Sequence, residues 1–152
     1  MCRMRLPRSR VSDVYKRQHL AGEINALYHE AAVRMGVSDS VMNILYVICE
    51  NGDRCLQSEI SRLTGISRQT INSAIRKLEK EQIVCLEPGQ GRNTIVCLTE
   101  AGKHFAEQKI GPLFAVENQI WNEWTEEEQQ QYLKLTQKYR DALKKYLGAA
   151  WL

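Results

Sequence analysis

Gln69, Asn72, Ser73 and Arg76 stand at i, i+3, i+4 and i+7 within the stretch QSEISRLTGISRQTINSAIRKL at 57–78, a spacing that gathers them on one arc of a helix. Amide, hydroxyl and guanidinium groups in that arrangement suit base edges and phosphates. A surface helix that needed only solubility would show Glu and Lys there, so the alternative, a plain solvated face, is weighed against what surrounds the arc. Ile71, Ala74, Ile75 and Leu78 repeat the same spacing on the other side as an apolar stripe. A second group with the same chemistry is Arg92, in the glycine-rich run Pro88-Gly89-Gln90-Gly91-Arg92-Asn93, where backbone and guanidinium together can approach a phosphate groove.

These side chains need elements to hold them. Upstream of the arc, Ile60 and Leu63 give a short helix an inward face, Gly65 can take the positive φ that ends it, and Ser67 caps the helix that follows. That is a helix-turn-helix. Around Arg92, 83–86 and 94–98 read as β-rich runs flanking an exposed tip, a hairpin that must lean on the helices and on a short strand at Arg54–Leu56. Before the motif, Leu20, Ile24, Leu27, Tyr28 and Ala31 mark a helix from about His19 to Met35 ended by Gly36. Ser38 then caps a helix carrying Val41, Ile44, Leu45 and Ile48. After it, Thr99 caps a helix to about Lys109, Gly111-Pro112 interrupts it, and Thr125-Glu126-Glu127-Glu128 is a capping box for a last helix to near Leu147. The aromatic and aliphatic surface of these terminal helices exceeds what the central motif can cover, which predicts a second subunit.

With 152 residues and 43% apolar content, one folded unit is expected, mostly α with a small β wing. The formal charge of +3 is no argument for a nucleic-acid partner, because residues 1–18 hold six Lys/Arg against one Asp and leave the remainder at −2. Local charge says more: Arg54 to Arg92 holds seven basic and four acidic residues. The leader MCRMRLPRSRVSDVYKRQ lacks a periodic apolar face, and its VSDVYKRQ ending resembles translated sequencing-adaptor read-through, so 1–18 is expected to be disordered or non-native. No apolar run of 18 residues and no secretory-type apolar core is present, which points to a cytoplasmic protein that does not enter a membrane. The five cysteines contain no C-x-x-C pair and the three histidines are scattered, so neither a metal site nor a cofactor is expected. A hairpin centred on Gly91 places Cys85 opposite Cys97, however, and a thiol-based redox switch is one possible input. Enzymatic activity has no support: no carboxylate pair in a recognisable setting, no nucleophile motif, and a glycine run too short for a dinucleotide. A winged-helix adaptor that binds protein is the stronger rival, since fold does not dictate function.

The order helix, helix, helix-turn-helix, glycine-tipped wing, two C-terminal helices resembles the MarR family of winged-helix transcription regulators over about 19–147. The most specific pieces are ISRQTINSAIRKLEKEQIV at 66–84, similar to the family's recognition helix and first wing strand, and GRNTIVCLTEAG at 91–102, with the Leu98-Thr99-x-x-Gly102 signature and an Arg six residues before Leu98. One position departs: the family commonly has Asp two residues before that Arg, and here it is Gln90. The resemblance implies a DNA-binding lobe at about 38–98, dimerisation helices at about 19–35 and 100–147, and a tail at 148–152. It implies a homodimeric repressor on palindromic double-stranded DNA, with Ser67, Arg68, Gln69, Thr70, Ser73 and Arg76 facing the major groove, Asn72 on the same arc, and Arg92 in the minor groove. It further implies a small, often aromatic, effector between the dimerisation helices and the lobe, for which Tyr28, Phe105 and Trp121 are candidate lining residues.

Overall fold

A computed structural model of the chain describes residues 11–150, with side chains from Asp13. The elements are α1 (Val11–Met35), α2 (Asp39–Glu50), β1 (Arg54–Leu56), α3 (Gln57–Thr64), α4 (Arg68–Lys80), β2 (Val84–Pro88), β3 (Thr94–Leu98), α5 (Glu100–Lys109), α6 (Gly111–Glu123) and α7 (Glu126–Ala150). The chain divides into two compact units, the first ending at Gly111 and the second starting at Pro112, where the ring of Pro112 removes a backbone donor.

The first unit is built on α2, whose Val41, Met42, Ile44, Leu45 and Ile48 are all buried. Ser38 caps it, its hydroxyl accepting from the Val41 amide at 3.2 Å. Around α2 the core adds Ile60 from α3, Ile71, Ile75 and Leu78 from α4, and Val84, Val96 and Leu98 from the sheet. The sheet is antiparallel, in the order β1-β3-β2. β3 therefore lies between the two others, and the wing hairpin is anchored by β1 on one side and the helices below.

The α5 connection explains a sequence signature. The Thr99 hydroxyl accepts from the Gly102 amide at 2.9 Å and donates to the Gln82 carbonyl at 2.6 Å, so one side chain both caps α5 and ties it to the turn before β2. A Cβ on Gly102 would stand 1.8 Å from the Ile83 carbonyl oxygen. Only glycine fits there.

Two boundaries and one packed face differ from the sequence expectation. Helix α1 starts at Val11, eight residues before His19, so 11–18 is helical where disorder was expected; Asp13 in its first turn, favourable at a helix N-terminus, pairs with Lys16 at 3.9 Å. The expectation for residues 1–10 lies outside the described residues. Leu63 is a second correction. It was placed on the inward face of α3 with Ile60, yet it is 49% exposed, because in so short a helix the packed face is set by Ile60 alone. Third, α7 runs on to Ala150, through three of the residues assigned to a tail.

In the second unit, the Thr125 amide donates to the Glu128 carboxylate at 2.8 Å and the Glu128 amide to the Thr125 hydroxyl at 3.2 Å, which is the capping box in both directions. Among the described residues no single helix is long and apolar enough to cross a membrane.

Candidate nucleic-acid interface

Gly65, in the left-handed conformation at φ 69°, ends α3 and turns the chain so that α4 begins three residues later. At that start the Ser67 hydroxyl accepts from the Thr70 amide at 3.2 Å and lies 2.9 Å from the Thr70 hydroxyl. The first turn of α4 holds no acidic residue, so the positive end of the helix dipole is left for an external anion, with Arg68 beside it. Ile71, Ile75 and Leu78 are buried, which turns Gln69, Asn72, Ser73 and Arg76 outward, and all four are exposed as the spacing required.

The wing supplies the second wall. Its tip is closed by the Gly89 amide donating to the Asn93 carbonyl at 2.8 Å and the Asn93 amide donating to Gln90 at 3.2 Å, with Gly91 at φ 65°. These bonds carry Arg92 in a fixed turn although Gln90 supplies no carboxylate. Between α4, the start of α3 and the wing lies a groove of about 350 Å³ lined by Gln57, Ser58, Ser61, Arg68, Asn72 and Arg92, with Ile71, Asn93 and Thr94 completing it. Arg68 and Arg92, 24 positions apart in sequence, thus face one cleft. None of the ion pairs among the described residues engages Arg68, Arg76 or Arg92, whereas Arg54 and Arg62 are paired with Glu87 at 2.9 Å and Glu59 at 2.6 Å. Of the five arginines from Arg54 to Arg92, the three outside these ion pairs are thus Arg76 on the exposed arc of α4 and the two that line the groove, Arg68 and Arg92.

Gln57, Ser58, Ser61, Asn93 and Thr94 were missed by the sequence reading. Gln57 donates a hydrogen bond to the Asn72 carbonyl oxygen, so what Asn72 presents to a ligand is its amide N–H₂. A polar Gln-Ser pair opening α3 was the available signal, and it carries no periodicity that would mark it.

The proposed effector residues are distributed over both units. Tyr28 lies on α1 and Phe105 on α5, where the Lys109 ammonium sits 6.0 Å from its ring centre. Trp121 belongs to the second unit and packs in an aromatic cluster, 5.5 Å from Trp124 and edge-on to Tyr132 at 6.3 Å. Cys85 pairs with Cys97 in the register expected of a hairpin centred on Gly91. Burial, reinforced by the Glu87 carboxylate next to it, holds the Cys97 thiol above the usual range, with Arg54 opposing.

The MarR family model matches residues 35–93, from the end of α1 to the wing tip. No curated protein matches the chain in sequence. Among solved structures, NMB1585, a MarR family regulator from Neisseria meningitidis, superposes with a TM-score of 0.80 at 14% identity, covering 93% of this chain and 99% of its own. AbsC, a MarR family transcriptional regulator from Streptomyces coelicolor, gives 0.72 at 18% identity, with 91% and 97% covered. The PcaV transcriptional regulator from Streptomyces coelicolor, solved in complex with its natural ligand, gives 0.60 at 19% identity, with 82% and 92% covered. The family's model thus matches the helix-turn-helix and the first strand of the wing, and the fold of these solved structures extends over most of the remaining helices, so the chain has the winged-helix fold of the MarR-family structures it resembles.

Proposed function

We propose that the protein is a sequence-specific double-stranded DNA-binding transcriptional regulator, acting as a homodimeric repressor on a palindromic operator. The observation that carries this is the groove that Arg68, Asn72 and Arg92 share, cationic on both walls and opening beside an uncompensated helix N-terminus. On this reading α4 enters the major groove, with Ser67, Arg68 and Thr70 holding phosphates and Gln69, Ser73 and Arg76 reaching bases, while Arg92 enters the neighbouring minor groove. Support for a dimer comes from unburied apolar stripes, Leu20, Ile24 and Leu27 on α1 and Leu135, Tyr139 and Leu143 on α7, all exposed in the single chain. A small-molecule effector that alters the spacing of the two recognition helices would release the operator; the ligand complex of PcaV supports this only as a family precedent.

Selection of bound duplexes from a random pool tests the proposal. A palindromic consensus with half-sites about one helical turn apart is the expected result. Failure to retain any duplex at low salt would overturn it and leave a protein-binding adaptor.

A further inference from the structure

Strand pairing assembles a second group of chemically distinctive side chains on the opposite face of the sheet from Val84, Val96 and Leu98. Arg54, Cys97 and Cys85 form one row across β1, β3 and β2, and Glu87 follows Cys85 on the same face of β2. The two sulfurs and a Glu87 carboxylate oxygen all lie within 4.8 Å of one another. We propose that Cys85, Cys97 and Glu87 form a site for a thiophilic divalent cation of the zinc type, held on the wing and distinct from the groove lined by Arg68 and Arg92.

The donor set is right for such an ion. Two thiolates and a carboxylate give three ligands of a tetrahedron, with the fourth position left for water. Three ligands come from two adjacent strands of one hairpin, so their placement depends on the ladder and not on any loop. The register also favours a bridging ion over a disulfide. The Thr99 amide bonds to the Ile83 carbonyl at 3.1 Å and the Gly89 amide to the Asn93 carbonyl at 2.8 Å, and counting along the ladder from either end makes Cys85–Cys97 a hydrogen-bonded pair. In such pairs the Cβ atoms stand about 5.5 Å apart, whereas a disulfide needs about 3.8 Å. Sulfurs each about 2.3 Å from a shared ion need come no closer than about 3.7 Å to each other. The cation replaces both thiol protons, which pass to solvent, and competes with Arg54 for Glu87, whose carboxylate now accepts from the Arg54 guanidinium at 2.9 Å. Sequence spacing hid the site because Cys97 lies ten positions from Glu87 and twelve from Cys85 across the hairpin, which leaves only the Cys85-x-Glu87 step short.

The test is titration of the full-length, fully reduced chain with Co²⁺ under anaerobic conditions, followed by displacement with Zn²⁺. One cobalt per chain with thiolate charge-transfer and tetrahedral ligand-field bands, both bleached by zinc, is expected. Cys85→Ser, at an exposed strand position that tolerates the change, should abolish the charge-transfer band, as should Cys97→Ser. Glu87→Gln should weaken binding by more than the roughly 10–100-fold typical of an outer-shell partner. Arg54→Ala should tighten it, and Cys49→Ser should leave it unchanged. Circular dichroism of the metal-free variants checks that each is folded. Absence of thiolate bands in the folded, reduced wild type overturns the proposal, as do bands that persist in the Cys85→Ser, Cys97→Ser double variant.

Discussion

Arg92 is held by a turn rather than by an ion pair, and that determines how its removal should read. The Gly89–Asn93 hydrogen bonds keep the tip closed whatever side chain stands at 92, so Arg92→Ala removes a charge without unfolding the wing. We expect its thermal midpoint to stay at the wild-type value while the slope of log K against log salt falls by about 1, one phosphate contact released. An unchanged slope would take Arg92 out of the interface. Gly102 makes the opposite case, a residue with no ligand chemistry whose replacement is severe. Its Cβ would meet a backbone carbonyl, and Ile83 cannot withdraw without breaking the bond that its carbonyl accepts from the Thr99 amide at 3.1 Å. Gly102→Ala should therefore cost at least the upper end of the 1–3 kcal/mol usual for overpacking, about 3 kcal/mol, read as a lowered urea midpoint with unchanged m-value. The Thr99-x-x-Gly102 signature is on this view a device for seating α5 against β2.

Among the elements, α2 and β1 place two thiols whose protonation is linked to folding. Burial first, then Asp53 and Glu50, raises Cys49, and burial with Glu59 raises Cys55. An acid whose folded pKa is raised contributes stability below its unfolded value and loses it as pH climbs through the folded one. Urea midpoints should thus be level up to about pH 8.5, the unfolded thiol value, and decline above it. In a Cys49→Ala, Cys55→Ala variant the starting midpoint drops, but the alkaline decline should be shallower; an equal decline would assign it to other groups. The elements differ in how far sequence could reveal them. The stripe Ile71, Ala74, Ile75, Leu78 and the caps Ser38, Ser67 and Thr99 are local signals, and each marks a helix found in the structure. Gly91 centred the hairpin, from which the Cys85–Cys97 register followed. Leu63 misled because apolar character in an eight-residue helix does not determine which side packs. The groove was half legible: Arg68 and Arg92 were named separately, but Gln57, Ser61 and Thr94 join them only through folding, which no spacing encodes. The start of α1 was hidden for another reason, since a helix without a buried face leaves no periodicity to read.

At the scale of the molecule, the apolar residues left at the surface are concentrated on the terminal helices. Leu20, Ile24, Leu27 and Tyr28 repeat on α1 at helical spacing, as do Tyr132, Leu135, Tyr139, Leu143 and Tyr146 on α7, while α2, comparably apolar, is buried. A helix keeps such a stripe in water only if something covers it, and a two-fold symmetric contact between copies covers the same stripe twice. The proposed function gives such a contact a second reason, because a palindromic operator would ask for two recognition helices held about 34 Å apart. Replacing Leu135 and Leu143, both exposed on α7, with Glu would put charges into the proposed contact while leaving the residues of the α2 core and of the groove around Arg68 unchanged. The variant should keep its helical content, sediment as a monomer at micromolar concentration, and bind a full operator about 10²- to 10⁴-fold more weakly, the loss expected when two linked half-site contacts become independent. Its affinity for an isolated half-site should equal that of the wild type, since each lobe is intact. A wild-type chain that already sediments as a monomer, or a variant that binds the full operator undiminished, would place the α7 stripe outside the dimer contact and leave the spacing of the two motifs to some other element.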